Sequence, residues 1–326
     1  MQLGVIGYRN HAGKLIKLIN NFKDVKKIIV YHPNKNRIKN FSIYSKKISI
    51  TSNIDKLNNV DGVIISSKSN SHSDYLNIFS KKKKYIFCEK PPADNEQDLS
   101  IIKKLKKKKI KFNFHLIQTF FSNYVKKTLD LKKLGEPINV TIEVSHGIAF
   151  KKNFNENWRF NDKNIFSSIT GNLGIHYIRQ LLFWFKKLEL INVHQKTFSK
   201  SKTIDTTSIN LLANKKVNIN IFLSYAAPKI NFIKIIFTNG YLEMKDGKIN
   251  KYFPRDVFDT KGQFKIPKLK KIKYFKNSTE HNYDGLIKNL KTFIKCIKNK
   301  KYFKESEFMD DIKSAEIILK MKKFDN

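Results

Sequence analysis

Short apolar runs alternate with helical segments over roughly the first 120 residues, and no other feature restricts the fold of this chain so strongly. The runs fall at residues 3–7, 27–31, 48–50, 61–65, 85–88 and 111–116. They are apolar almost throughout, as strands buried on both faces must be. Helical segments lie between them, the first running through Leu15, Ile16, Leu18 and Ile19, and later ones at 72–83 and 94–108. The last of these has an acidic first turn and a basic last turn, which suits the helix dipole. Strict β–α alternation predicts a right-handed, doubly wound parallel sheet.

Further on, the pattern changes. After a helix expected at 123–133 and a Gly135-Glu136-Pro137 turn, period-two runs appear at 139–145, 190–198, 206–212, 217–224 and 232–237. Period two predicts strands with one covered face, hence a large open sheet, mixed or antiparallel. A helix at 164–185 separates the first two runs, and helices at 282–298 and 306–322 close the chain. The basic, proline-containing stretch 261–276 reads as a surface loop. The expected fold class is α/β, with a parallel-sheet domain over residues 1–118 and a second α/β domain over 119–326.

Residues 85–92, Tyr-Ile-Phe-Cys-Glu-Lys-Pro-Pro, carry the first candidate chemistry. Proline cannot donate to a sheet ladder, so the strand must stop at its carboxyl edge, where open α/β sheets bind ligands. Lys90 then stands at a cleft with Glu89 beside it, on a turn stiffened by Pro91 and Pro92, either of which could follow a cis bond. Taken alone, the string is equally a plain strand exit with solvated charges.

The chain carries a formal charge of +38, yet only five of its 65 basic residues are arginine: Arg9, Arg37, Arg159, Arg179 and Arg255. The lysines are spread through every segment, and the better reader of bases and phosphates is scarce. Abundant Lys, Asn, Ile and Phe are what a very AT-rich coding sequence gives. The charge therefore argues for compositional bias over a nucleic-acid or membrane partner, while still drawing in an anionic substrate. Cys88 and Cys296 form no metal or redox spacing, which suits a reducing cytosol. Met1-Gln2 leads into a strand without signal-peptide anatomy, and no apolar run approaches membrane-spanning length. A cytoplasmic location without metal, membrane or nucleic-acid partner is expected.

The turn after the first strand, Gly7-Tyr8-Arg9-Asn10-His11-Ala12-Gly13, sits where a doubly wound sheet cradles the pyrophosphate of a dinucleotide. The usual G-x-G-x-x-G needs glycine at position 9, where Arg9 stands, and Gly13 comes one place late. An ordinary βα loop is the competing reading. On the dinucleotide reading Gly7, Tyr8, Arg9 and Asn10 line the phosphates, and the Arg9 guanidinium can pair with one. At the end of the second strand, where an acid normally binds the ribose of NAD, the chain has His32, with Lys35 and Arg37 following. No carboxylate repels a 2′-phosphate there, so the cofactor is NADP or NAD, with NADP favoured.

Several strings now stand in order along the chain: Gly4-Val5-Ile6-Gly7, Asp61-Gly62-Val63-Ile64-Ile65 with His72 seven residues on, Cys88-Glu89-Lys90-Pro91, Asn157-Trp158-Arg159-Phe160, and Gly171-Asn172-Leu173-Gly174-Ile175-His176. Together they resemble the Gfo/Idh/MocA oxidoreductases, the glucose–fructose oxidoreductase and inositol dehydrogenase family, over nearly the whole chain. The resemblance implies an N-terminal Rossmann domain and a C-terminal α/β domain whose open sheet forms homo-oligomers. It puts Lys90 at the substrate hydroxyl and the nicotinamide ribose. His176 matches the histidine that takes or returns the hydroxyl proton. Ser66, Ser67, Lys68 and His72 match a cofactor-contacting loop, with Glu89 next to Lys90, and Trp158 and Arg159 match a loop near nicotinamide and substrate. The family usually has aspartate where this chain has Asn172 and Arg179.

Those residue types suit the chemistry. A secondary alcohol gives up hydride only as its hydroxyl proton leaves, so a base such as histidine must be within reach. A lysine ammonium stabilises the developing alkoxide. The expected function is NAD(P)-dependent oxidation or reduction of a sugar or nucleotide sugar, such as a surface-polysaccharide precursor, with Lys90, His176 and Asn172 at the reacting centre. Arg9 and Asn172 favour a rival, a weakened relative that binds dinucleotide as a sensor or partner protein. A polyanion-binding protein is the third reading.

Overall fold

A computed structural model describes residues 1–8, 10–38, 45–154, 162–255 and 257–324. Among these residues the chain divides into two compact units, Met1–Phe114 with Leu286–Ala315, and His115–Gly285 with the segment from Glu316 on.

In the first unit, β1 (Gln2–Ile6), β2 (Lys27–Tyr31), β3 (Ile48–Thr51), β4 (Gly62–Ile65), β5 (Tyr85–Cys88) and β6 (Ile110–Phe112) form a parallel sheet in the order β3-β2-β1-β4-β5-β6. β1 and β4 are neighbours without being consecutive, which makes the gap beyond their carboxyl ends the topological switch point. Helices α1 (Asn10–Asn20), α2 (Lys35–Ile38), α3 (His72–Lys81) and α4 (Glu96–Lys103) connect the strands. Asn95 caps α4 by accepting the Asp98 N–H. This helix stops short of the expected 94–108 because lysines crowd residues 103–109, and like charges a turn apart oppose helix. β6 also ends early. The Asn113 N–H still bonds the Cys88 carbonyl, but its side chain turns toward Glu89.

The second unit opens with α5 (Phe120–Asp130) and β7 (Pro137–Ser145), followed by α6 (Ile175–Trp184) and β8 (Leu188–Lys196). Then come β9 (Thr206–Ala213), β10 (Val217–Ser224), β11 (Ile230–Phe237), β12 (Gly240–Lys245), β13 (Lys248–Tyr252) and β14 (Leu269–Tyr274). The strands make one mixed sheet, β14-β13-β12-β11-β7-β10-β9-β8, in which β7 and β10 pair in parallel. Val217, Ile219, Ile221 and Leu223 are buried on the covered face while Asn218 and Asn220 are exposed, as period two predicts. Two expectations need correction. Residues 261–276 hold the edge strand β14, whose Lys270, Lys271 and Lys273 blunt an edge that would otherwise invite pairing. The helix expected at 164–185 is regular only from Ile175, after a π-type turn at Thr170–Gly174. A β-carbon on Gly171 would lie 2.3 Å from the Ile165 carbonyl oxygen, so the chain folds back on itself there.

The closing helices are α7 (Ser278–Lys298) and α8 (Glu305–Met321). Leu286, Leu290, Phe293, Ile294 and Ile297 of α7 join Leu3, Val5, Ile28, Val30 and Phe87 in the core of the first unit. Gly62 permits this approach, since a β-carbon there would stand 2.7 Å from Ile297 Cδ1. No described helix is long and apolar enough to cross a membrane.

Candidate active site

The carboxyl edge of the first unit's sheet begins at Gly7. Its N–H bonds the Tyr31 carbonyl at 3.1 Å and its φ is +102°, a conformation open mainly to glycine. A β-carbon there would lie 2.5 Å from the Ser66 carbonyl oxygen, so the exits of β1 and β4 pack backbone to backbone with no room for a side chain at this turn. The Tyr8 ring meets His32 edge-on at 5.2 Å. His32 Nδ1 stands 3.1 Å from the Asn34 backbone nitrogen and 3.2 Å from the Asn34 carbonyl oxygen, which ties the ring to the turn after β2. Asn34 Oδ1 accepts from the backbone of Asn36 and Arg37, starting the short α2 with Arg37 exposed. Asn10 opens α1, while Arg9 lies outside the described residues.

The exit of β4 carries Ser66, Ser67 and Lys68. Ser67 Oγ is 2.8 Å from Ser71 Oγ, and Ser71 donates to the Lys68 carbonyl. His72, buried at the start of α3, spans two loops: Nδ1 is 2.9 Å from the Pro91 carbonyl and Nε2 is 3.3 Å from that of Ser67. Burial holds its pKa below the usual imidazole value, against the pull of the two carbonyls and Glu89. A neutral ring has one N–H, and the shorter contact assigns it to Nδ1.

The exit of β5 carries Glu89 and a partly exposed Lys90, and the Lys90–Pro91 bond is cis. The buried Glu89 carboxylate accepts Asn113 Nδ2 at 2.6 Å, and Asn113 Oδ1 accepts Asn289 Nδ2 of α7 at 2.9 Å. Glu89 Oε1 also stands 2.9 Å from His11 Nε2. The Glu89 charge raises the His11 pKa, more than partial burial, Lys90 and Lys14 lower it. Sequence reasoning passed over His11, Asn113 and Asn289. A histidine in the first βα turn was a visible signal, but not its direction.

In the second unit, Asn172 lies in the π-type turn and its Nδ2 donates to the Tyr225 hydroxyl. The Tyr225 ring leans on His146, centroids 5.1 Å apart, and burial lowers the His146 pKa. His176, in the first turn of α6, is buried with its ring edge-on to His115 at 4.9 Å. Arg179 is fully buried on the same helix. Trp158 and Arg159 lie outside the described residues. A cavity of about 340 Å³ lined by Phe120, Tyr124, Lys127 and Lys133 among others contains none of the residues singled out in the sequence. Among the described residues no group of three or more His, Cys, Asp or Glu side chains is placed to hold a metal.

A family model described as an oxidoreductase family with an NAD-binding Rossmann fold matches residues 1–114, and a GFO/IDH/MocA C-terminal domain matches residues 123–243. The chain belongs to the GFO/IDH/MocA oxidoreductase family. The first family match spans β1 to β6, and the second runs from within α5 to β12. Glucose-6-phosphate 3-dehydrogenase of Bacillus subtilis (strain 168) is 24% identical over 243 residues, 68% of this chain and 67% of that one. An oxidoreductase from Agrobacterium radiobacter, in complex with NAD+, L-tartaric acid and magnesium, superposes with a TM-score of 0.77 at 16% identity, covering 99% of this chain and 96% of the other. A 3-ketoreductase from Actinomadura kijaniata, in complex with NADP and TDP-benzene, gives 0.75 at 13% identity over 99% and 97%. At these identities the two structures share the GFO/IDH/MocA fold, and the likeness goes no finer.

Proposed function

We propose that this chain transfers hydride between a nicotinamide dinucleotide and a secondary alcohol or ketone of a sugar or nucleotide sugar. The observation that carries the reading is the glycine-only turn at the switch point, where Gly7 takes φ +102° in close backbone approach to Ser66, as the first βα turn of a dinucleotide-binding sheet requires. Residues 1–118 are assigned to the dinucleotide and 119–326 to substrate and assembly. Gly7, Tyr8, Asn10, Ser66, Ser67, Lys68, His72 and Glu89 would hold the dinucleotide, with Arg9, Trp158 and Arg159 joining them.

When bound, the dinucleotide supplies the hydride donor or acceptor. The chain's own residues manage charge and proton. The Lys90 ammonium stabilises negative charge on the reacting oxygen, and the His176 imidazole takes up or returns the hydroxyl proton. His32 supports NADP over NAD: no carboxylate occupies its position to repel a 2′-phosphate. The ketoreductase relative with NADP supports the same choice, and the relative with NAD+ keeps the alternative open. Glucose-6-phosphate 3-dehydrogenase and the TDP-benzene complex support an anionic sugar substrate, which the charge of +38 would attract. A second copy would cover the open face of the mixed sheet, where Phe222, Glu143 and Phe232 stand side by side in register. We place the protein in the cytoplasm.

The commitment of Asn172 Nδ2 to Tyr225, where the family has a carboxylate, favours the weakened relative as the second reading. Fluorescence titration with NADPH and NADH, joined to turnover on a panel of sugar phosphates and nucleotide sugars, separates the two. Binding with turnover supports the enzyme, and binding without turnover on any panel member supports the sensor. Binding of neither dinucleotide overturns both.

A further inference from the structure

β4 lies between β1 and β5 in the sheet, so a side chain from the β1 turn can meet one at the β5 exit only across the carboxyl end of β4. His11 does so, with Nε2 2.9 Å from Glu89 Oε1. The carboxylate side chain is 10% exposed and fixed by the Asn113–Asn289 chain, whereas the imidazole is 41% exposed. Glu89 is thus the anchored member of the pair and His11 the more exposed one. We propose that the His11–Glu89 pair is a proton-linked contact for the diphosphate of a dinucleotide, an inference that rests on the dinucleotide reading above.

The argument follows from the charges around the ring. Glu89, from the β5 exit, favours the proton on His11, while Lys90 beside it and Lys14 on α1 oppose it. His72 also feels Glu89 but is kept neutral by burial. A diphosphate laid over the first βα turn brings further negative charge toward the ring and shifts the balance to imidazolium. Binding therefore takes up a proton wherever free His11 is partly neutral, and affinity falls as pH rises through its titration. With His11 neutral, the Glu89 charge faces the diphosphate without compensation.

Calorimetric titration of the full chain with NADPH and with NADH, from about pH 6 to about pH 9 and in buffers of different ionisation enthalpy, tests this. The expected result is proton uptake on binding and a Kd that rises about tenfold across the range, the scale of a one-unit shift. His11→Asn keeps a donor toward Glu89 but cannot titrate, so it should abolish the uptake and flatten the profile at the weak end. Its difference from the parent also removes any titration of the ligand's own phosphates. His11→Lys keeps a charge throughout and should flatten the profile at the tight end. A pH-independent Kd without proton uptake, or a His11→Asn profile matching the parent, overturns the inference and leaves the dinucleotide reading standing. Binding of neither dinucleotide at any pH overturns that reading and this inference together.

Discussion

The amide nitrogen of Asn172 donates to the hydroxyl of Tyr225, so the side chain at a position where the resemblance implies an aspartate is held by a phenol. His176 lies about one helical turn further on. Asn172→Asp has no proton to offer Tyr225, so the hydrogen bond must reverse and the phenol donate. The new charge also favours an imidazolium at His176. Turnover is expected to rise and the pH–rate profile to move upward, which a side-by-side profile of both forms measures. Tyr225→Phe keeps the ring against His146 and removes the hydroxyl that accepts from Asn172. It should cost about 1 kcal/mol in denaturant unfolding.

Lys90→Ala and His176→Asn should each lower kcat by about 10²-fold or more, the scale of a positioned acid–base group. Asparagine is chosen at 176 because the imidazole is buried and alanine would leave a cavity. Steady-state rates on a verified substrate, with circular dichroism to show folding, decide the matter. Native turnover in both variants would remove these residues from the reacting centre.

His32→Asp restores an acid at the end of β2. It should shift dinucleotide preference toward NAD(H) by about tenfold or more, since a carboxylate repels a 2′-phosphate and accepts from a ribose hydroxyl. The ratio of the two dissociation constants reads the shift. A strong preference of the unaltered chain for NAD(H) would contradict the NADP assignment.

His72 makes stability depend on pH in a definite direction. Its pKa is lowered from the ordinary value of 6.5, so the unfolded chain takes up the proton first. Its contribution is complete above about pH 6.5 and is lost as the pH falls toward the folded value. His11, with a raised pKa, works in the opposite sense, stabilising below its ordinary value and less as pH rises through the folded one. Urea unfolding of the parent and His72→Gln at about pH 5 and about pH 7.5 should give a smaller acid loss in the variant. Equal losses would show that His72 does not titrate on unfolding.

The parallel sheet was legible because its strands are apolar on both faces. β2 and β5 stand at 27–31 and 85–88, where the sequence alone puts them, and so does β10 of the mixed sheet at 217–224. The hairpin of β12 and β13 escaped notice, although Asp246 and Gly247 both have positive φ, as a two-residue turn requires. Its strands, like β14, carry lysines that blur period two. Within the candidate site, Glu89 and Lys90 were readable from the prolines that stop their strand. The partners of Glu89 were not, because His11, Asn113 and Asn289 meet it only through strand order and the return of α7. Nor does any string announce a π-type turn at Thr170–Gly174, which depends on how closely Gly171 meets Ile165.

His72, at the start of α3 just beyond the β4 exit, donates Nδ1–H to the Pro91 carbonyl, so the exits of β4 and β5 are fastened to one another before any ligand arrives. A segment that is already ordered loses little conformational entropy on binding. Whatever is taken up at this edge therefore meets a surface of fixed shape, and its association should follow a single bimolecular phase without a slow rearrangement after it. Removing this contact, as His72→Ala would, should appear first as a slower or biphasic approach to equilibrium, ahead of any change in which ligand is chosen.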